Sequence, residues 1–217
     1  MNKAQIIENT MQFVKQTLAD AEGGHDWFHI ERVYKTAKNI ATTENADLFI
    51  VALGALLHDI ADSKFYDGDE TIGPKKARQF LESQVVDEPI INHVEKIIEN
   101  ISFKGGNFTQ NFTSIELECL QDADRLDAIG AIGIARCFSY GGYKKRALYN
   151  PDIAPNLNMS KEEYKKSTAP SVNHFYEKLL LLKGKMNTES GKKIALKRHE
   201  FMKSFLTQFY GEWEGEL

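Results

Sequence analysis

The stretch Leu48-Phe49-Ile50-Val51-Ala52-Leu53-Gly54-Ala55-Leu56-Leu57-His58-Asp59 decides how this chain is read. A run with no polar side chain is followed at once by an imidazole and a carboxylate. A helix that is hydrophobic on every side is enclosed by its neighbours, so the run predicts a buried helix over about 46–61. It is far too short for a bilayer, which takes roughly 20 apolar residues. An ionisable pair at the end of a buried helix costs on the order of several kcal/mol unless something binds it. A metal ion is the simplest partner.

Working outward, the chain reads as helix nearly throughout. Residues 3–20 carry Ile6, Ile7, Thr10, Phe13, Val14, Thr17 and Leu18 at helical spacing. Gly23-Gly24 breaks the chain, Asp26 suits an N-cap, and a helix over 27–43 is expected to follow. After a polar loop, Pro74 suits the first turn of a helix over 74–84. The next helix, 88–102, points Ile90, Ile91, Val94, Ile97, Ile98 and Ile101 inward. Lys104-Gly105-Gly106-Asn107 is a turn, and 113–139 reads as one long or kinked helix. Residues 141–159 are irregular, with Gly141-Gly142, Pro151 and Pro155, and helices over 171–183 and 188–213 complete the chain. No strand, repeat or low-complexity tract is persuasive. The expectation is an all-α fold in a single domain, 1–217.

With 217 residues the chain can bury a real core without staples. A net charge of −4 argues against a dedicated nucleic-acid binder, which is usually basic over the whole domain, but leaves room for a local basic pocket. The two cysteines, Cys119 and Cys137, have neither metal nor redox spacing and read as core thiols. No signal-peptide pattern opens the chain, and a cytoplasmic location is expected.

His-Asp occurs twice, at His25-Asp26 and His58-Asp59. The first follows two glycines, where Asp26 can cap a helix and His25 can face water. The second closes the buried run and is the candidate metal pair. His29, among Trp27, Ile30, Val33 and Ala37, and Asp124, among Leu117, Leu120, Leu126 and Ile129, can complete the shell. Alone, His29 is as readily a core histidine, and Asp124 a salt-bridged carboxylate. Two imidazoles and two carboxylates suit Mn²⁺, which we favour, or Fe²⁺, Co²⁺, Ni²⁺ or Zn²⁺; Mg²⁺ is less typical with histidine. His93 is a candidate for a second ion but reads as a core or rim residue.

The order His29 … His58-Asp59 … Asp124 resembles the H…HD…D signature of the HD-domain metal-dependent phosphohydrolases. Leu56-Leu57-His58-Asp59-Ile60-Ala61-Asp62 resembles that family's central motif. Asp122-Ala123-Asp124-Arg125-Leu126-Asp127 resembles its last one, which selects Asp124 over Asp122 and Asp127. The resemblance implies an HD-domain helical bundle, with a core over about 22–130 and a C-terminal helical extension over about 141–217. Ile101-Ser102-Phe103-Lys104-Gly105, Phe138-Ser139-Tyr140-Gly141-Gly142, His174-Phe175-Tyr176-Glu177-Lys178-Leu179-Leu180 and Met186-Asn187-Thr188-Glu189 extend the likeness to small bacterial HD proteins that act as nucleoside-triphosphate pyrophosphohydrolases.

A divalent ion with open positions acidifies water and polarises phosphoryl oxygens, which suits attack on a phosphate ester or anhydride. Asp62, one turn beyond the pair, is the candidate base, with Asp67 the runner-up. Lys64 is placed to hold a phosphate oxygen or the leaving group. Lys104, beside two glycines, and Arg146, whose planar fork suits phosphate, are the candidate substrate residues. Lys178, Arg198 and His199 read as a solvated face of the C-terminal helices. The resemblance implies cleavage of a nucleoside triphosphate to monophosphate and pyrophosphate. The residues equally allow a nucleotidase, a cyclic-nucleotide phosphodiesterase, or a metal- or nucleotide-binding sensor without turnover. The expected partner is a small nucleotide, with no nucleic acid and no membrane, and a homodimer is compatible with the chain.

Overall fold

The computed structural model describes residues 2–19, 26–61, 69, 71–101, 111–160, 163 and 166–217. The described residues are helical with no strand. The elements are α1 (Lys3–Thr17), α2 (Trp27–Glu44), α3 (Leu48–Leu57), α4 (Ile72–Ser83), α5 (Glu88–Ile101), α6 (Ile115–Asp127), α7 (Gly130–Tyr143), α8 (Asn173–Glu177), a 3₁₀ segment (Leu179–Lys185) and α9 (Glu189–Glu214). None of these helices is long and apolar enough to cross a membrane. The chain divides into two compact units, Met1–Ala123 and Asp124–Leu217, and the division falls within α6.

In the first unit α3 is the centre, with α1, α2 and α5 packed against it. Eight of its ten residues are buried, as an all-round apolar helix requires. Its closest approach is at Gly54, where a Cβ would lie 3.0 Å from Leu120 Cδ2 and 3.3 Å from Ile97 Cγ2. Around it lie Ile6 and Val14 of α1, Ile30 of α2, Leu81 of α4 and Ile91, Val94 and Ile98 of α5. Each fully buried Leu or Ile here is worth roughly 1.5–3 kcal/mol.

The join between α2 and α3 follows from three residues. Asn45 ends α2 in the left-handed conformation (φ 56°), its N–H donating to Ala41 O. Ala46 N–H donates to the same carbonyl at 3.0 Å. Asp47 then caps α3, its Oδ1 accepting from Phe49 N–H (2.8 Å) and Ile50 N–H (3.2 Å). So short a connection folds the two helices into a hairpin, which sets the first turn of α2 beside the last turn of α3.

The second unit packs α7 against α9. The helix read over 113–139 is broken. α6 closes with Ala128 N–H donating to Arg125 O and Ile129 N–H to Leu126 O, and Gly130 restarts the chain at φ +78°. Only glycine takes that conformation without strain. Arg198 of α9 seals the break: its guanidinium donates to Leu126 O, and its Cγ lies 2.9 Å from where a Gly130 Cβ would sit. The helix read over 171–183 also divides, into α8 and the 3₁₀ segment, at Lys178 (φ −145°, ψ −57°). Both cysteines are thiols, held protonated chiefly by burial, Cys119 pushed up to about 12 and Cys137 to about 11.

Candidate metal centre

Asp26 opens α2 as its N-cap, accepting from His29 N–H at 2.9 Å. That bond fixes His29 in the first turn, where its ring is buried. At the end of α3, His58 is the C-cap and Asp59 follows in a turn. The hairpin thus brings one ring from the start of α2 to a ring and a carboxylate at the end of α3.

The rings of His29 and His58 lie 5.5 Å apart at 65°. His29 Nε2 is 4.0 Å from Asp59 Oδ2. Ligand atoms of His29, His58 and Asp59 all lie within 4.8 Å of one another, forming a candidate metal cluster among the described residues. Two donors on one ion stand roughly 3–3.5 Å apart for metal–ligand distances of about 2.0–2.2 Å, so modest closure would bring these atoms onto a common cation.

His58 supplies the sharper test of fit. Its Nδ1 lies 2.8 Å from Ala55 O. A carbonyl only accepts, so Nδ1 carries the proton and Nε2 carries the lone pair. Among the described residues that buried Nε2 has no hydrogen-bond partner. A buried lone pair without a donor is costly, and a metal ion is the group that satisfies it. A second nitrogen bonded to a backbone carbonyl is the usual arrangement of a ligating histidine. The cluster fits a divalent cation.

Asp124 lies half-buried on α6 and is grouped with the second unit. Asp62, Asp67, Lys64, Lys104 and His25 lie outside the described residues. His93 is engaged as a rim residue, its Nε2 2.9 Å from Ser114 Oγ and 3.5 Å from Glu116 Oε2, its ring edge-on to Phe112. Arg146 is half-buried in the second unit, its guanidinium donating to Ser167 O and lying over the Tyr140 ring at 5.5 Å. Arg198 and His199 are half-buried rather than solvated. Burial lowers the affinity of both for a proton. Arg198 is held there by the break at Gly130, where its guanidinium donates to Leu126 O.

Fold and cluster together define an all-α protein with a candidate divalent-metal centre on its most buried helix hairpin. The HD domain model matches residues 27–129. YpgQ of Bacillus subtilis is 36% identical across 96% of this chain and 94% of its own length. The crystal structure of an HD-superfamily hydrolase from Bacillus thuringiensis is similar at a TM-score of 0.80 and 44% identity, over 98% of this chain and 99% of that one. The crystal structure of YpgQ in complex with ADP is similar at a TM-score of 0.75 and 33% identity, over 98% and 97%. The chain belongs to the HD-domain superfamily of metal-dependent phosphohydrolases.

Proposed function

We propose that this protein is a metal-dependent hydrolase of nucleotides that cleaves nucleoside triphosphates to monophosphate and pyrophosphate. The observation that carries the metal dependence is the orphan lone pair of His58 Nε2 beside His29 and Asp59. The ADP complex of YpgQ supports a nucleotide as the ligand. His29, His58 and Asp59 would hold the ion, with Asp124 the expected fourth ligand. When bound, a divalent ion supplies Lewis-acid chemistry, acidifying water and neutralising charge on phosphoryl oxygens. Asp62 takes the proton of the attacking water, Lys64 steadies the departing oxyanion, and Lys104 and Arg146 hold the phosphate chain. Mn²⁺ is the favoured ion, because imidazole with carboxylate suits it better than Mg²⁺.

A nucleotide panel incubated with Mn²⁺ tests this reading. Pyrophosphate release without orthophosphate is expected. Orthophosphate from monophosphates would replace it with a nucleotidase, and binding without any product would leave a sensor.

A further inference from the structure

Glu116 lies in the first turn of α6, where the helix dipole favours an acid even in solvent. This one is turned inward and is only 8% exposed. A buried carboxylate is costly unless hydrogen bonds satisfy it. Its Oε1 accepts from Asp47 N–H at 3.0 Å, across 69 positions of the chain. Its Oε2 faces His93 Nε2 of α5 at 3.5 Å. The same ring nitrogen is 2.9 Å from Ser114 Oγ, which accepts from Leu117 N–H at 3.1 Å and fixes the start of α6. The two oxygens of one side chain thus face two different elements, and the carboxylate is oriented by both.

Asp47 is the residue on which the α2–α3 hairpin turns. Its side chain caps α3 by accepting from Phe49 and Ile50 N–H. Its own N–H stands outside the helical ladder, and Glu116 takes it. Four residues along the same face of α6, Leu120 rests against α3 at Gly54. α6 therefore bears on α3 both at the turn and at mid-length. The candidate ligands sit at the ends of the hairpin away from the turn, His29 in the first turn of α2 and His58 just past the last residue of α3. α3 rises about 15 Å over its ten residues, so a change of about 4° at the turn moves its far end by about 1 Å. That is the scale of closure that brings donors now within 4.8 Å of one another to the roughly 3–3.5 Å of a shared ion.

We propose that Glu116 is a positioning residue for the metal centre: by holding Asp47 N–H it sets the angle of the α2–α3 hairpin, and with it the spacing of His29 from His58 and Asp59. The proposal rests on the metal reading above. It assigns the effect to the hydrogen bond that Oε1 accepts, not to the charge of the carboxylate.

The test is Mn²⁺ affinity, read by electron paramagnetic resonance on the full chain and on Glu116→Gln, Glu116→Asp and Glu116→Ala, with a urea denaturation curve for each. Glutamine keeps an acceptor oxygen at the same reach. Aspartate keeps the charge but withdraws the oxygen by one methylene, and alanine removes it. Glu116→Gln should bind Mn²⁺ within about threefold of the original chain, and Glu116→Asp and Glu116→Ala about tenfold or more weaker. A purely structural role would lower the urea midpoint and leave the affinity of the folded chain unchanged. Should Glu116→Ala fail to fold, Glu116→Asp carries the comparison. Undiminished Mn²⁺ affinity in folded Glu116→Asp or Glu116→Ala overturns the positioning role and leaves the centre standing. Glu116→Gln binding as weakly as Glu116→Ala overturns it too, since the acceptor would then not be what matters. An original chain that holds no Mn²⁺ removes the centre and this role together.

Discussion

The two ring nitrogens of His58 face different chemistry. Nδ1 is spent on Ala55 O, and the buried Nε2 has no partner among the described residues. His58→Ala therefore removes one modest hydrogen bond from the metal-free protein, worth about 1 kcal/mol, together with the ring's packing. The larger effect is on the loaded protein. Thermal melts with and without Mn²⁺ should show a metal-dependent rise in Tm that disappears in the variant. Asp62→Ala should behave oppositely, keeping the metal-dependent rise while kcat falls by roughly 10²–10⁴. A variant turning over normally would remove Asp62 as the base. His174 gives a third residue-scale prediction. Its imidazole, buried and beside Lys178 and Arg146, is pushed down to about 4 from an ordinary 6.5. Between those values the unfolded chain takes up a proton that the folded chain refuses, so stability falls as pH drops through the window. Its contribution between pH 7 and pH 5 is a loss of about 2 kcal/mol. Urea denaturation at both pH values should show that loss in the wild type and not in His174→Gln.

Among the elements, the α2–α3 hairpin makes the candidate centre and the break at Gly130 shapes the second unit. Much of the hairpin was legible in the sequence: an apolar run marks a buried helix, Asp26 and Asp47 are capping types, and His58-Asp59 closes the run. The breaks in the 113–139 and 171–183 helices were not. Apolar residues continue at helical spacing past Gly130, in Ile132 and Ile134, and past Lys178, in Leu179 to Leu182, so periodicity alone runs through both interruptions. Gly130 carries the evident consequence. Gly130→Ala places a side chain at φ +78° and against Arg198 Cγ, and should cost roughly 1–3 kcal/mol in chemical denaturation. An unchanged midpoint would mean that the junction relaxes.

At the scale of the whole molecule, the likeness to YpgQ spans nearly the full chain, whereas the HD model covers 27–129. His29, His58 and Asp59 sit together in the first unit, and Asp124 is grouped with the second. His58 and Asp59 could be singled out from one motif, whereas His29 alone read as readily as a core histidine; the α2–α3 hairpin is what sets the three close together. Asp124 needed the family likeness to be chosen over Asp122 and Asp127, since all three lie within six residues of one helix. Manganese binding tests the centre most directly. Electron paramagnetic resonance of the full chain titrated with Mn²⁺ should count about one tightly held ion per chain, lost in both His58→Ala and Asp59→Ala. A wild-type chain that holds no Mn²⁺, or variants that hold it just as tightly, would contradict a centre built from His29, His58 and Asp59.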